Sequence, residues 1–520
     1  MDPDLEPPYP QTIGEILAGN AARLPHEAAL VDPAGPSVDF AGVQAATATF
    51  RARLRELGIG PQDRVAVVLP NGAGPSLLLL GLLAAAVATP LHPNLTPAEL
   101  GAVLPRLRPA ALLDLGGHPA GVAAAEAAGV PVLAASVALG PDPAVRVAGE
   151  PVGPPAPDRP TIPDDLAAII STSGTTGRAK LVPRRHRDLM VSAVLNARLL
   201  RLAPHDRTVS LVHLSHILGH NVLLRSMVGG AAVDCPVRVD PGDVPVLAEL
   251  VVRLDPTWLQ VTPTLLTDLL PIADRHPGLP NPSLRVIRCG SAQLTPVLRR
   301  RAEAFFRVPL LNGYGSSEAS NITVESFDHP HRPGTVGRVL PGVRIADGDT
   351  PLPDGEAGEV QLRGPQVFPG YWDDPGLNAR SFTPDGWFRI GDRARVVDGY
   401  LEMLGRVDDT INRGGHKVDP QEVEGILAAH PAVAEAAVFA VPDPRLGQEV
   451  AAAVVLRPGT AASPRELRRW LLDRLSPHKV PRKVLLLDAL PRTASGKVIR
   501  RALAEAAASP DPPPNAPPPA

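Results

Sequence analysis

Cysteine is almost missing. The 520 residues hold two, Cys235 and Cys289, far apart and in no Cys-x-x-Cys arrangement. This excludes a disulfide framework and fits reduced cytosolic thiols. The fourteen histidines are scattered and form no H-E-x-x-H. A surplus of charge of one sign is missing too. Fifty-one basic and fifty-four acidic residues leave a formal charge of −3, so nucleic acid is a poor candidate partner. Long apolar runs are lacking. The longest, LLLLGLLAAAVA at 77–88, is too short to span a bilayer and reads as a core helix. The opening MDPDLEPPYP has neither a basic n-region nor an apolar h-region, so a cytoplasmic protein without membrane insertion is expected. No internal repeat is visible.

Proline, by contrast, is abundant: 63 residues, roughly twice the usual share. It clusters in a linker-like run at 151–163 and in SPDPPPNAPPPA at 509–520, a low-complexity tail that cannot build a core. A chain this long predicts two or more domains. Apolar strand-like runs (RVAVVLP, AALLDL, LAAII, TVSLVHL, WLQVT, LRVIRCG) alternate with helix-like ones such as SLLLLGLLAAAVA and TPVLRRRAEAFF. That alternation predicts an α/β protein with largely parallel sheets, whose ligands bind beyond the carboxyl ends of strands.

One such strand end carries STSGTTGRAK, residues 171–180, with five hydroxyls, two glycines, two cations and no acid. Glycines let backbone N–H groups turn toward a ligand, hydroxyls donate, and Lys180 adds charge, so the loop reads as a phosphate cradle. It is not a Walker loop, because the glycine and lysine spacing fails G-x-x-x-x-G-K-[ST].

Three more stretches follow: NGYGSSEAS (312–320), with an aromatic for stacking and a carboxylate for Mg²⁺; GWFRIGDRARVVDGYLEMLGRVDDTINRGGHKVDPQEVE (386–424), with Asp392 after a glycine turn; and PRTASGKVIRR (491–501), with Lys497. In this order and at these separations, from about residue 12 to 505, the chain resembles the adenylate-forming superfamily. The acid–CoA ligase branch, of coumarate- and oxalate-ligase type, is the nearest resemblance.

The resemblance implies a large N-terminal domain of packed sheets and helices (1–406), a small mobile C-terminal α+β domain (407–505) and a disordered tail (506–520). It implies ATP, Mg²⁺ and coenzyme A as cofactors and co-substrates. Thr172, Ser173, Gly174, Thr175, Thr176, Gly177 and Lys180 match the loop holding the β- and γ-phosphates, with Thr176 and Glu318 toward the metal. Tyr314 matches the residue stacking on adenine, beside Gly315. Ser317 stands where threonine is usual and keeps the hydroxyl for the α-phosphate. Gly290, Ser291 and Ala292 match the segment between the adenine and acyl pockets, and His216 matches the pocket histidine. Asp392 and Arg406 match the ribose ligands, Asp408 the hinge, Gly414 and Gly415 the glycines near the CoA arm, and Lys497 the lysine contacting substrate carboxylate and α-phosphate.

The chain departs from the family pattern at Arg178, Ala179, Leu181, Ile390, His213 and Ser215, none of which removes a charged catalytic group. No aspartate lies between Val209 and Val233 to hold an α-amine, which argues against an amino-acid substrate. Arg288, with His220 and Asn221, points either to a polar or carboxylated acyl tail or to a strand-end arginine in a salt bridge. The implied reaction is acid activation to an acyl-adenylate, then transfer to CoA. Transfer to a carrier-protein phosphopantetheine and a non-catalytic nucleotide-binding homologue are the alternatives.

Overall fold

A computed structural model describes residues 11–172, 179–237, 244–273, 279, 281–292, 294–407, 411–413, 416–492 and 498–508. The chain forms two compact units. The first takes residues 1–343 and 362–388, the second 344–361 and 389–520.

The first unit is built on a seven-stranded sheet. Its spatial order is Ala144–Ala148, Val132–Ala138, Ala111–Asp114, Arg64–Val68, Val87–Leu91, Leu166–Thr172 (β1) and Lys180–Arg185 (β2). The inner strands are parallel, and only the two outermost run antiparallel to their neighbours. Both faces are covered. One packs on a cluster containing the helix Ala73–Ala85, buried all round as an unbroken apolar helix must be, and the other on Leu100, Leu104 and Leu107. The helix read over 76–88 thus ends at Ala85. Ala86 is extended, and β-branched Val87 opens a strand paired with Arg64.

Beyond the helix Ile217–Gly229 (α1) comes a three-stranded parallel sheet, Trp258–Val261 (β3), Val286–Cys289 (β4) and Leu310–Asn312 (β5). Gln260 and Arg288 are register partners, so their side chains share one face. Leu259, Ile287 and Leu310 point the other way, into an apolar cluster that includes helix Pro296–Phe306. Thr295 caps that helix, accepting from the Leu298 N–H.

The second unit holds the antiparallel pair Phe388–Val397 (β6) and Tyr400–Arg406 (β7), followed in the sheet by Gly358–Leu362 and Val343–Asp347. Its C-terminal part has a second sheet, in which the long strands Val433–Asp443 and Gly447–Leu456 pair antiparallel. Helices Pro420–Ala428 and Pro464–Leu472 pack on one face of that sheet, Arg500–Ala508 on the other. The compact division therefore falls at 388/389, ahead of the expected 406/407, because β6 and β7 form one hairpin. The final helix also runs to Ala508, past the residue 506 where the tail was expected to begin. Residues 509–520 lie outside the described residues. Among those described, no helix is long and apolar enough to cross a membrane.

Candidate active site

The hydroxyl-rich segment is the connection of a β-hairpin. β1 runs parallel to its inner neighbour, β2 returns antiparallel, and Thr172 and Lys180 are the closing pair of the register. The segment thus leaves the carboxyl end of a buried parallel strand, as expected for a ligand loop. Ser173, Gly174, Thr175, Thr176 and Gly177 lie outside the described residues. Lys180 places its Nζ 5.2 Å from the ring centroid of Tyr371, a cation–π contact that fixes the ammonium at the mouth of the hairpin.

Tyr371 joins this hairpin to the second motif. Its hydroxyl donates to Oε1 of Glu318 at 2.8 Å, and the Phe368 N–H donates to the Glu318 carbonyl at 2.8 Å. The turn carrying Glu318 is closed from within. Ser316 Oγ accepts from the N–H groups of Glu318 and Ala319 at 3.2 and 3.1 Å, and the Ser316 N–H donates to the Ala319 carbonyl. Gly315 is required there, since a Cβ would collide with the Ser320 carbonyl.

Beneath the turn lies Arg184 of β2, fully buried. Its guanidinium donates to the carbonyls of Ser317 (2.6 Å), Asp188 (3.2 Å) and Gln366 (3.2 Å), pinning the turn, the hairpin and the 366–372 segment together. Burial lowers its pKa, while the Asp188 and Glu318 charges oppose that shift. Asp188, held by Arg185 at 2.9 Å, is pushed up by burial against the pull of Arg184.

Gly290, Ser291 and Ala292 follow β4, and Gly313, Tyr314 and Gly315 follow β5. The two segments lie side by side, because a Cβ on Gly290 would sit 3.3 Å from the Gly313 carbonyl. Ser291 takes φ +78°, a left-handed conformation uncommon outside glycine and concentrated at functional turns. Tyr314 is half-buried, and its carbonyl accepts from the Ile322 and Thr323 N–H groups at 2.9 and 3.1 Å. His216 is the N-cap of α1. Its Nδ1 accepts from the Leu218 N–H at 3.2 Å. Two histidines flank it: His220, pushed down to about 4 by burial and by His216, and His213, pushed down to about 4 by burial and by His92 and His216. His213 packs against His92, the rings tilted by 36° with centroids 4.0 Å apart.

Arg288 is buried, and among the described residues it forms no salt bridge. Its Nη1 donates to the Leu311 carbonyl at 3.3 Å. Asp392 and Arg406 are cross-strand partners of β6 and β7 in the second unit, ion-paired at 3.1 Å, with Asp392 buried. Asp408, Gly414, Gly415 and Lys497 lie outside the described residues.

Within the first unit, then, a cation-bearing hairpin mouth stands beside a carboxylate held by a phenol. This suits a nucleotide–magnesium complex. A metal bound mainly by phosphates and water needs only one or two protein carboxylates, and the Glu318 carboxylate fits that requirement. Among the described residues no cluster of three metal-ligating side chains exists that would bind an ion alone. A family model described as "AMP-binding enzyme" matches residues 17–372, and one described as "AMP-binding enzyme C-terminal domain" matches 422–497. The chain belongs to the AMP-binding enzymes. This enzyme is 33% identical over 508 residues to an oxalate–CoA ligase of Arabidopsis thaliana, which covers 95% of this chain and 98% of the relative. It is 33% identical over 521 residues to a sulfoacetate–CoA ligase of Cupriavidus necator, covering 96% and 99%. Among solved structures, ATP-bound MatB from Rhodopseudomonas palustris superposes with a TM-score of 0.83 at 30% identity, covering 95% and 99%.

Three residues of this AMP-binding enzyme's site escape sequence reasoning. Tyr371 and Arg184 act across 53 and 133 residues of chain. Arg225, a cation inside the apolar helix NVLLRSMVGG, carried a usable signal: a charge on a buried face demands a reason.

Proposed function

We propose the following course for this AMP-forming acid–CoA ligase. ATP and a carboxylic acid bind at the carboxyl ends of β1, β4 and β5. The acid is ionised at neutral pH, so its attack on the α-phosphorus needs alignment rather than a general base. A carboxylate oxygen bonds to phosphorus, the bond to the β-phosphate oxygen breaks, and pyrophosphate leaves. Thr172 and Lys180, with the hydroxyls and glycines between them, hold the β- and γ-phosphates. Tyr314 stacks on adenine beside Gly290–Ala292, and Ser317 meets the α-phosphate. Asp392 and Arg406 take the ribose hydroxyls, and Lys497 bridges acid and α-phosphate. Glu318 and Thr176 would hold the Mg²⁺ carried with the nucleotide, which would supply neutralisation of the phosphate charge. After movement about Asp408, the CoA thiol, losing its proton, attacks the acyl carbon past Gly414 and Gly415; the carbon–sulfur bond forms, the acyl carbon–oxygen bond to phosphate breaks, and AMP leaves.

The observation that carries this reading is the Lys180–Tyr371–Glu318 contact, which unites the phosphate loop with the metal carboxylate. The family relatives, among them ligases for oxalate and sulfoacetate, support CoA as the acceptor. The test is ATP–pyrophosphate exchange across a panel of carboxylic acids, with and without CoA. Exchange that depends on the acid but not on CoA, with AMP and thioester formed once CoA is added, is expected. Production of ADP, or exchange indifferent to acid, overturns the proposal.

A further inference from the structure

Two buried guanidinium groups flank Gln260, and one of them, that of Arg288, packs against Gly313 at the start of the Gly313–Glu318 turn. Arg225 projects from α1 and Arg288 from β4; both are nine-tenths or more buried, and each is close enough for Arg288 to disfavour the charge on Arg225. Arg225 donates Nε to the Asn221 carbonyl and Nη1 to Gln260 Oε1, both at 2.8 Å. Arg288 donates Nη1 to the Leu311 carbonyl, and Gln260, its register partner, donates Nε2 to the Arg288 carbonyl at 3.1 Å. Among the described residues no carboxylate is ion-paired with either. The acid that Arg288 feels, Glu325, is already committed to Arg299 at 2.7 Å, His331 at 2.9 Å and the Asn312 N–H at 2.7 Å. Burial lowers both arginines, Arg225 to about 9 and Arg288 to about 10. The indole Nε1 of Trp258, whose ring centroid lies 5.9 Å from the Arg225 guanidinium carbon, is sealed from solvent with no acceptor. Donors and positive charge are therefore in surplus at one buried place, which is expensive unless an anion completes it.

Arg288 also sets how far away that anion lies. Its guanidinium packs directly on the Cα of Gly313, where any Cβ would overlap it. Gly313 opens the turn whose later residues, Ser317 and Glu318, are assigned above to the α-phosphate and metal. We infer that Arg225 and Arg288 together bind a second anionic group on the acid, so that the substrate of this ligase is a short dianionic acid bearing a carboxylate or sulfonate at its far end. The inference rests on the reading of this site as an acid-activating one.

The test is calorimetric binding to the full chain in the presence of α,β-methylene-ATP, which blocks turnover. The probes are oxalate, malonate, succinate and sulfoacetate, with the monomethyl ester of each dicarboxylate as its monoanionic match. A charge-assisted contact of this kind predicts that at least one dicarboxylate binds about 10–100-fold more tightly than its ester. Arg225→Gln and Arg288→Gln should each erase most of that preference while still binding the ATP analogue, and Arg225→Lys should retain part of it. Equal binding of dianions and esters by the wild-type chain overturns the inference without any variant. So does a preference that survives both glutamine substitutions. Dianion-selective binding with no pyrophosphate exchange for any acid would leave the dianion site standing and remove the ligase reading instead.

Discussion

Tyr371→Phe isolates one atom of the site. The hydroxyl donates to Glu318 at 2.8 Å, while the ring contacts Lys180 at 5.2 Å and Phe368 at 4.8 Å between centroids. Phenylalanine keeps both ring contacts and loses only the donor. A hydrogen bond to a carboxylate is worth about 1.5–3 kcal/mol, which corresponds to roughly a 10–100-fold loss where the carboxylate must be held in one orientation. The assay is acid-dependent pyrophosphate exchange as a function of Mg²⁺ at fixed ATP. The half-saturating Mg²⁺ concentration should rise and kcat/KM for ATP fall within that range, with circular dichroism and melting temperature nearly unchanged. Tyr371→Ala should also destabilise the fold, because the ring is buried against Phe368 and Phe388; large aromatic truncations cost about 3–5 kcal/mol. An unaltered Mg²⁺ dependence in Tyr371→Phe would refute the placement of Glu318 as the metal carboxylate.

Asp392→Asn should raise the KM for ATP by about 10–100-fold, the worth of a charge-assisted acceptor, with little effect on the KM for acid; an unchanged ATP dependence removes the ribose assignment. Lys497→Ala should abolish pyrophosphate release by about 10²–10³-fold or more, yet still convert supplied acyl-adenylate and CoA to thioester. Equal loss of both half-reactions in a folded variant would contradict a lysine serving adenylation alone. Stability should depend on acid pH through His186, His213 and His220, each held near 4 mainly by burial. The unfolded chain takes up these protons near pH 6.5 and the native chain does not. Stability is thus full above that pH and declines as pH falls from about 6.5 toward 4; a urea midpoint that stays level between pH 7 and 5 would show these sites are not neutral in the native state.

The sequence revealed strands better than their partners. The runs at 64–70, 110–115, 166–170, 258–262 and 284–290 all overlap observed strands, because apolar residues buried on two faces leave a strong local mark. TVSLVHL does not extend as read. The strand stops at Val209, and Leu211 and Leu214 are buried instead by the approach to α1, where the Leu214 N–H donates to Asn71 Oδ1 and Gly219 packs against the His213 carbonyl. Burial without ladder pairing looks the same in one dimension. The site shows the same division. Glu318, Lys180 and Asp392 stand in compact motifs whose composition announces them. Tyr371 and Arg184 stand in FPGYW and PRRH, which have no such composition, and their roles arise only when distant segments meet.

That meeting explains how a glycine- and serine-rich turn can act as a fixed electrode. The turn's own hydrogen bonds are local and weak, and its glycines favour many conformations. Order is imported from Arg184, whose planar guanidinium reaches carbonyls from three segments, a geometry that a single ammonium cannot match. The Glu318 charge in turn favours the protonated form of this arginine, against its burial. One buried arginine thereby fixes the place of the turn that carries the carboxylate. Its cost in desolvation is offset by carbonyl acceptors and by the nearby Asp188 and Glu318 charges rather than by a direct ion pair. The Arg225–Arg288 pair has carbonyl and amide acceptors too, but the acid that Arg288 feels, Glu325, is bound to Arg299 and His331. Three buried arginines in different surroundings thus divide the work: Arg184 organises the protein, and Arg225 and Arg288 are left with charge for the ligand proposed above.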